Sequence, residues 1–132
     1  MARILLADDD ARQLQLRARL LEASGHEVSL AGHTSAVIPY LATSQVVIID
    51  LRFPNAQGQP DAAEGLKLIR QIRESGCQAP VIVISGWPED LSGTPEERMV
   101  SRVMQKPVAI ESLLGAIAEL ATAGSVPSRN PV

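Results

Sequence analysis

The sequence predicts an α/β fold, a doubly wound parallel sheet of five strands with helices on both faces, and three observations predict it. Val46-Val47-Ile48-Ile49 sets four β-branched apolar residues in a row. Such a run cannot alternate between core and water, so it fits a strand covered on both faces. Four of the five predicted strands stop at side chains that carry chemistry: Ile4 to Ala7 at Asp8-Asp9-Asp10, the central run at Asp50, Val81 to Ile84 at Ser85, and Arg102 to Gln105 at Lys106. Stretches at helical spacing lie between them, and five alternating strand and helix units imply right-handed crossovers and a parallel sheet. Ligands of open α/β sheets bind at the carboxyl ends of the strands, which is where these side chains fall.

Arg3 to Ala7 is the first strand. Asp10 caps the following helix, which runs to about Ser24 with Leu14, Ala18 and Leu21 on one face and ends at Gly25. Glu27 to Ala31 is more polar, as suits an edge strand. Gly32-His33-Thr34 turns the chain, and Ser35 to Thr43 reads as a second helix, short or bent because Pro39 removes a backbone donor. The central strand comes next. Leu51 to Ala63, with Pro54, Gly58 and Pro60, is long against the about 2 to 6 residues usual for a βα connection, so it hangs over the site. Leu66, Ile69 and Ile72 mark a helix from Ala63 to Ser75, closed by Gly76. After strand four, Pro88, Gly93 and Pro95 interrupt the expected fourth helix. At most Pro95 to Val100 is helical, capped by Thr94, so this helix is shortened or irregular. Arg102 to Gln105 is strand five, and Ile110, Leu113, Leu114, Ile117 and Leu120 stripe the last helix. Residues 1–123 make one domain, and the Pro-, Ser- and Asn-rich residues 124–132 read as a disordered tail.

With 45% hydrophobic and 20% charged residues in 132, the chain can bury an ordinary single core. A net charge of −3 with scattered Lys and Arg provides no footprint for nucleic acid. Cys77 has no partner in the chain, and no signal peptide or membrane-length apolar run is present, so a cytoplasmic location is expected. Cys77 reads as a buried or loop thiol, and His26 and His33 as solvated loop residues.

The acidic strand ends carry the most information. A capping carboxylate contributes about 1 kcal/mol, which accounts for one of Asp8, Asp9 and Asp10 but not for Asp50. Two carboxylates about 4 Å apart repel by roughly 4 kcal/mol at an effective dielectric near 20, so a cluster on one sheet edge needs a proton or a cation. Carboxylates without His or Cys suit Mg²⁺ rather than zinc. Ser85 and Lys106 would add a hydroxyl and an ammonium for a phosphoryl group.

In order along the chain, Ile4-Leu5-Leu6-Ala7-Asp8-Asp9-Asp10, Ile48-Ile49-Asp50-Leu51-Arg52-Phe53-Pro54, Ile84-Ser85-Gly86 and Lys106-Pro107 resemble the motifs of receiver domains of bacterial two-component response regulators. The resemblance covers Arg3 to about Ala121. It implies a flavodoxin-like sheet of order 2-1-3-4-5, with Asp50 as phosphoacceptor for a histidine kinase or histidine phosphotransfer protein. It further implies that Asp9 and Asp50 hold Mg²⁺ directly, Asp8 largely through a bound water, and the backbone carbonyl of Arg52 completes the protein ligands. Ser85 and Lys106 would each contact a phosphoryl oxygen, and the Lys106-Pro107 bond would be cis. Such a domain is a phosphoacceptor that assists its own phosphorylation and dephosphorylation rather than a conventional enzyme. It would signal as a monomer or weak dimer through an unknown protein target, here as a stand-alone domain with no membrane contact.

The sequence also departs from that family. Val103 stands where a Tyr or Phe commonly couples to the Ser or Thr, and the broken fourth helix weakens a surface often used for docking. The long loop after Phe53 has two roles open to it, shielding Asp50 or replacing that surface. Trp87 and Arg52 should lie at the rim, at places that in the family tune loss of the phosphoryl group. Two other functions are compatible with parts of the pattern. One is a phosphate-independent binding module, suggested by Val103; the other is a haloacid-dehalogenase-type phosphohydrolase, suggested by the Asp8-x-Asp10 spacing but lacking its later motifs.

Overall fold

The structure, a computed structural model, describes residues 1–125. Strands β1 (Arg3–Ala7), β2 (Glu27–Ala31), β3 (Val46–Asp50), β6 (Val81–Ser85) and β7 (Arg102–Gln105) form one sheet in the order β2-β1-β3-β6-β7, with every pair parallel. Counting those five strands alone, this is the expected order 2-1-3-4-5. The polar strand β2 lies at an edge, as its composition predicts. Helices α1 (Ala11–Ala23) and α3 (Ile110–Ser125) cover one face, and α2 (Ala62–Glu74) covers the other with several 3-10 turns.

The pleat divides the core in two. Leu5, Val47, Ile49, Val81 and Val83 point toward α2 and pack with Leu68, Ile69 and Ile72, whereas Ile4, Leu6, Val46, Ile48, Ile82 and Ile84 face Leu14, Leu21, Leu113 and Ile117 of α1 and α3. Successive residues of the central strands thus go to opposite cores, which is why those strands read as unbroken apolar runs. Asp10 caps α1 by accepting hydrogen bonds from the amides of Arg12 and Gln13, as expected.

Three elements differ from expectation. Ser35 to Thr43 is not an α-helix but two 3-10 turns, Thr34–Ala36 and Ile38–Thr43, because Pro39 opens the second turn and prevents the first from continuing into it. Between β6 and β7 the expected shortened and irregular helix is present as the 3-10 turn Pro95–Met99, with a second turn, Pro88–Asp90, that was not expected. Thr94 does not cap Pro95–Met99; its hydroxyl donates instead to the carbonyl of Leu91. What fastens this stretch is α2: Arg70 pairs with the buried Glu96, and the Arg73 guanidinium donates to the carbonyls of Met99, Cys77 and Ala79. Finally, the long loop after β3 contains a two-stranded hairpin, β4 (Phe53–Pro54) with β5 (Pro60–Asp61), closed by Asn55, whose side-chain oxygen accepts from the amides of Gln57 and Gln59.

Helix α3 runs to Ser125, two residues past the expected domain boundary, and the rest of the expected tail, 126–132, lies outside the described residues. His26 is not a solvated loop residue. It is half-buried, and its Nδ1 accepts a hydrogen bond of 3.0 Å from the amide of Ala2. His33 is exposed and Cys77 half-buried, as a loop thiol would be. Among the described residues no helix is long and apolar enough to cross a membrane.

Candidate functional site

Because β1, β3, β6 and β7 are adjacent or nearly so and all run the same way, their carboxyl ends meet on one edge. Asp8 and Asp9 leave β1, Asp50 ends β3, Ser85 ends β6 and Lys106 follows β7. Asp8, Asp9 and Asp50 each offer a carboxylate oxygen within 4.8 Å of the others. Asp8 is buried at 2% exposure, Asp50 is partly buried and Asp9 is exposed. At such a separation two like charges repel by roughly 3 kcal/mol at an effective dielectric near 20.

Asp50 and Asp9 respond first to burial and then to that repulsion. Burial pushes Asp50 above the ordinary carboxyl range and the Asp8 charge pushes it further, against the pull of Lys106. Asp9 is raised for the same two reasons, burial and then Asp8. Cations answer part of the charge. Lys106 Nζ lies 3.3 Å from Asp50 Oδ2 and 3.4 Å from Asp8 Oδ2, so one ammonium bridges two strand ends. The remaining oxygens are held by the backbone: the Leu51 amide donates to Asp50 Oδ1 at 2.7 Å and the Asp10 amide to Asp8 Oδ1 at 2.9 Å.

Ser85 is fully buried, and its hydroxyl oxygen accepts from the Trp87 amide at 3.0 Å, which leaves the hydroxyl proton to be donated elsewhere. Arg52 does not turn its side chain to Asp50. Its Nε donates to Asp90 Oδ2 at 2.9 Å and its guanidinium lies 3.8 Å above the Trp87 ring. Trp87 is half exposed, and the three side chains clamp one another by an ion pair and a cation–π contact, with Asp90 as a member that no motif indicated. Arg17 is the other unforeseen residue: from α1 it reaches Asp8 Oδ2 at 3.5 Å. Val103 sits on β7 with 39% exposure and takes no part in the cluster.

The donor set is three carboxylates with neither His nor Cys, which fits a hard divalent cation that keeps some of its waters. The Lys106-Pro107 bond is cis. Asp10, whose side chain is spent on capping α1, is not in the cluster, which removes the Asp-x-Asp arrangement a haloacid-dehalogenase phosphohydrolase needs.

Residues 4–118 match the family described as the response regulator receiver domain. The chain belongs to this family. The receiver domain is 32% identical over 124 residues to the sensory/regulatory protein RpfC of Xanthomonas campestris pv. campestris. That match takes in 90% of this chain but spans only 16% of that relative's length. Among solved structures, a response regulator receiver domain protein from Clostridium thermocellum superimposes with a TM-score of 0.81 at 24% identity, covering 96% of this chain and 98% of that one. The response regulator protein TrrA from Thermotoga maritima, in complex with Mg(2+)-BeF, superimposes with a TM-score of 0.76 at 20% identity, covering 91% of this chain and 99% of that one. At these identities the structural likeness speaks for the fold.

Proposed function

We propose that Asp50 accepts a phosphoryl group from a histidine kinase or a histidine phosphotransfer protein, and that the aspartyl phosphate so formed alters binding to a downstream protein. The observation that carries this reading is the bridge of Lys106 between Asp8 and Asp50 inside a three-carboxylate cluster. In the transfer, an Asp50 carboxylate oxygen bonds to phosphorus while the bond from phosphorus to the donor imidazole nitrogen breaks, its electron pair staying with the imidazole. Lys106 and the free Ser85 hydroxyl proton then face two oxygens of the transferred group. Asp8, Asp9, Asp50 and the backbone carbonyl of Arg52 are assigned as the holders of Mg²⁺. When bound, the ion supplies positive charge that offsets repulsion between the cluster and an incoming phosphoryl group. Both oxygens of Asp8 already have partners, which supports an indirect role for it through a bound water. The Mg(2+)-BeF complex of TrrA supports the same choice of ion here.

The domain acts as a phosphoacceptor rather than as a turnover enzyme, in the cytoplasm, where its single unpaired Cys77 stays reduced. A second reading, a binding module independent of phosphate, draws support from the valine at 103. Intact-mass measurement after acetyl phosphate and Mg²⁺ separates the two. One phosphoryl adduct is expected on the wild type and none on Asp50→Asn; no adduct on the wild type, where a control receiver is labelled, favours the phosphate-independent reading.

A further inference from the structure

The Asp8 carboxylate is buried, yet it is the most heavily partnered group of the cluster. Its Oδ1 accepts from the Asp10 amide, and its Oδ2 faces two cations, Lys106 Nζ at 3.4 Å and Arg17 at 3.5 Å. Lys106 is shared with Asp50, whereas Arg17 has Asp8 as its one ion-pair partner among the described residues. With both cations in place, one of the three negative charges in the pocket is left uncompensated; without Arg17, two are. Water screens this pair poorly, because the Arg17 side chain is only 17% exposed.

Arg17 also has somewhere else to go. It lies on α1 between the buried Leu14 and Ala18 and reaches from Asp8 to the adjoining groove of about 620 Å³, which it lines beside Leu16, Leu20, Pro107 and Val108. An arginine stem can lie along such apolar side chains while its head stays in water. Resting on the reading of the pocket as a Mg²⁺ and phosphoryl site, we propose that Arg17 is a positioning residue whose guanidinium holds Asp8 and competes with the divalent cation, so that it sets the Mg²⁺ concentration at which the pocket fills.

The test is Mg²⁺ titration of the full chain, followed by Trp87 fluorescence and, independently, by calorimetry. Arg17→Met, which keeps an unbranched apolar stem, is expected to bind Mg²⁺ about tenfold more tightly than the wild type. Arg17→Lys, which keeps the charge, should stay near the wild-type affinity. The metal-free Tm of Arg17→Met should fall, because a buried carboxylate loses a counter-ion, and saturating Mg²⁺ should restore it. Arg17→Gln carries the same expectations should the methionine variant fail to fold. Unchanged or weaker Mg²⁺ binding in the neutral variants, beside a saturable wild-type response, overturns the role of Arg17 and leaves the pocket reading standing. A wild type with no saturable response in either measurement overturns the pocket reading, and this proposal with it.

Discussion

At the scale of single residues, the site is a set of charges held together by the fold against their own repulsion. Asp50 shows this best, since burial and Asp8 both disfavour its ionised form while only Lys106 and the Leu51 amide favour it. Replacing it with Asn keeps an acceptor for that amide and removes the charge, so Asp50→Asn should raise metal-free stability by about 1 kcal/mol, a Tm increase of several degrees. It should also weaken the response of Tm to Mg²⁺. A lower metal-free Tm for this variant would mean that the Lys106 pair outweighs the repulsion. Asp8, Asp9, Asp50 and Ser85 were legible in the sequence because each stands at the end of an apolar run, and Lys106 because it follows the last predicted strand, Arg102 to Gln105. Arg17 and Asp90 were not. Arg17 sits beside the buried stripe of α1 with no periodic signal aiming it at Asp8, and Asp90 lies in a proline-broken stretch whose path only tertiary contacts decide.

At the scale of elements, a strand or helix was legible wherever burial imposed a period. The five long strands and helices α1 and α2 were legible to within a residue or two, and α3 runs on to Ser125 past its last apolar marker, Leu120, whereas the 3-10 turns and the β4–β5 hairpin have too few residues to display a period. The turns flanking α2 depend on that helix for their position, and α2 in turn depends on one glycine. A Cβ built on Gly65 would lie 2.0 Å from the carbonyl oxygen of Leu51, so α2 packs backbone to backbone against the residue following Asp50. Alanine is the better helix former by about 1 kcal/mol, but that advantage is smaller than the cost of forcing two backbones apart. Gly65→Ala should therefore destabilise the domain by about 1 to 3 kcal/mol and, by displacing Leu51, reduce acetyl phosphate labelling of Asp50. Chemical denaturation checks the first outcome and intact mass the second. A more stable variant would show that α2 can withdraw without disturbing the site.

At the scale of the whole molecule, opposed titrations act at opposite ends of the sheet. His26, beside Ala2, is lowered by burial and then by the N-terminal amine, so its folded form resists protonation, and stability is lost as pH falls below its unfolded value of 6.5. Asp9 and Asp50 are raised above 3.8, so the folded state binds their protons more tightly than the unfolded one. Their contribution to metal-free stability is present below about pH 3.8 and is lost as pH rises through the folded values. A plain pH profile of Tm mixes the two effects. The difference in Tm with and without Mg²⁺ does not, because His26 titrates alike in both conditions while the ion binds only the ionised cluster. That difference should be smallest at acid pH and grow toward neutrality, with stabilisation following the logarithm of ion concentration once the site is saturated. Thermal melts at fixed ionic strength measure it directly. A difference that stays flat or shrinks as pH rises would show that Mg²⁺ stabilises the protein somewhere other than at Asp8, Asp9 and Asp50.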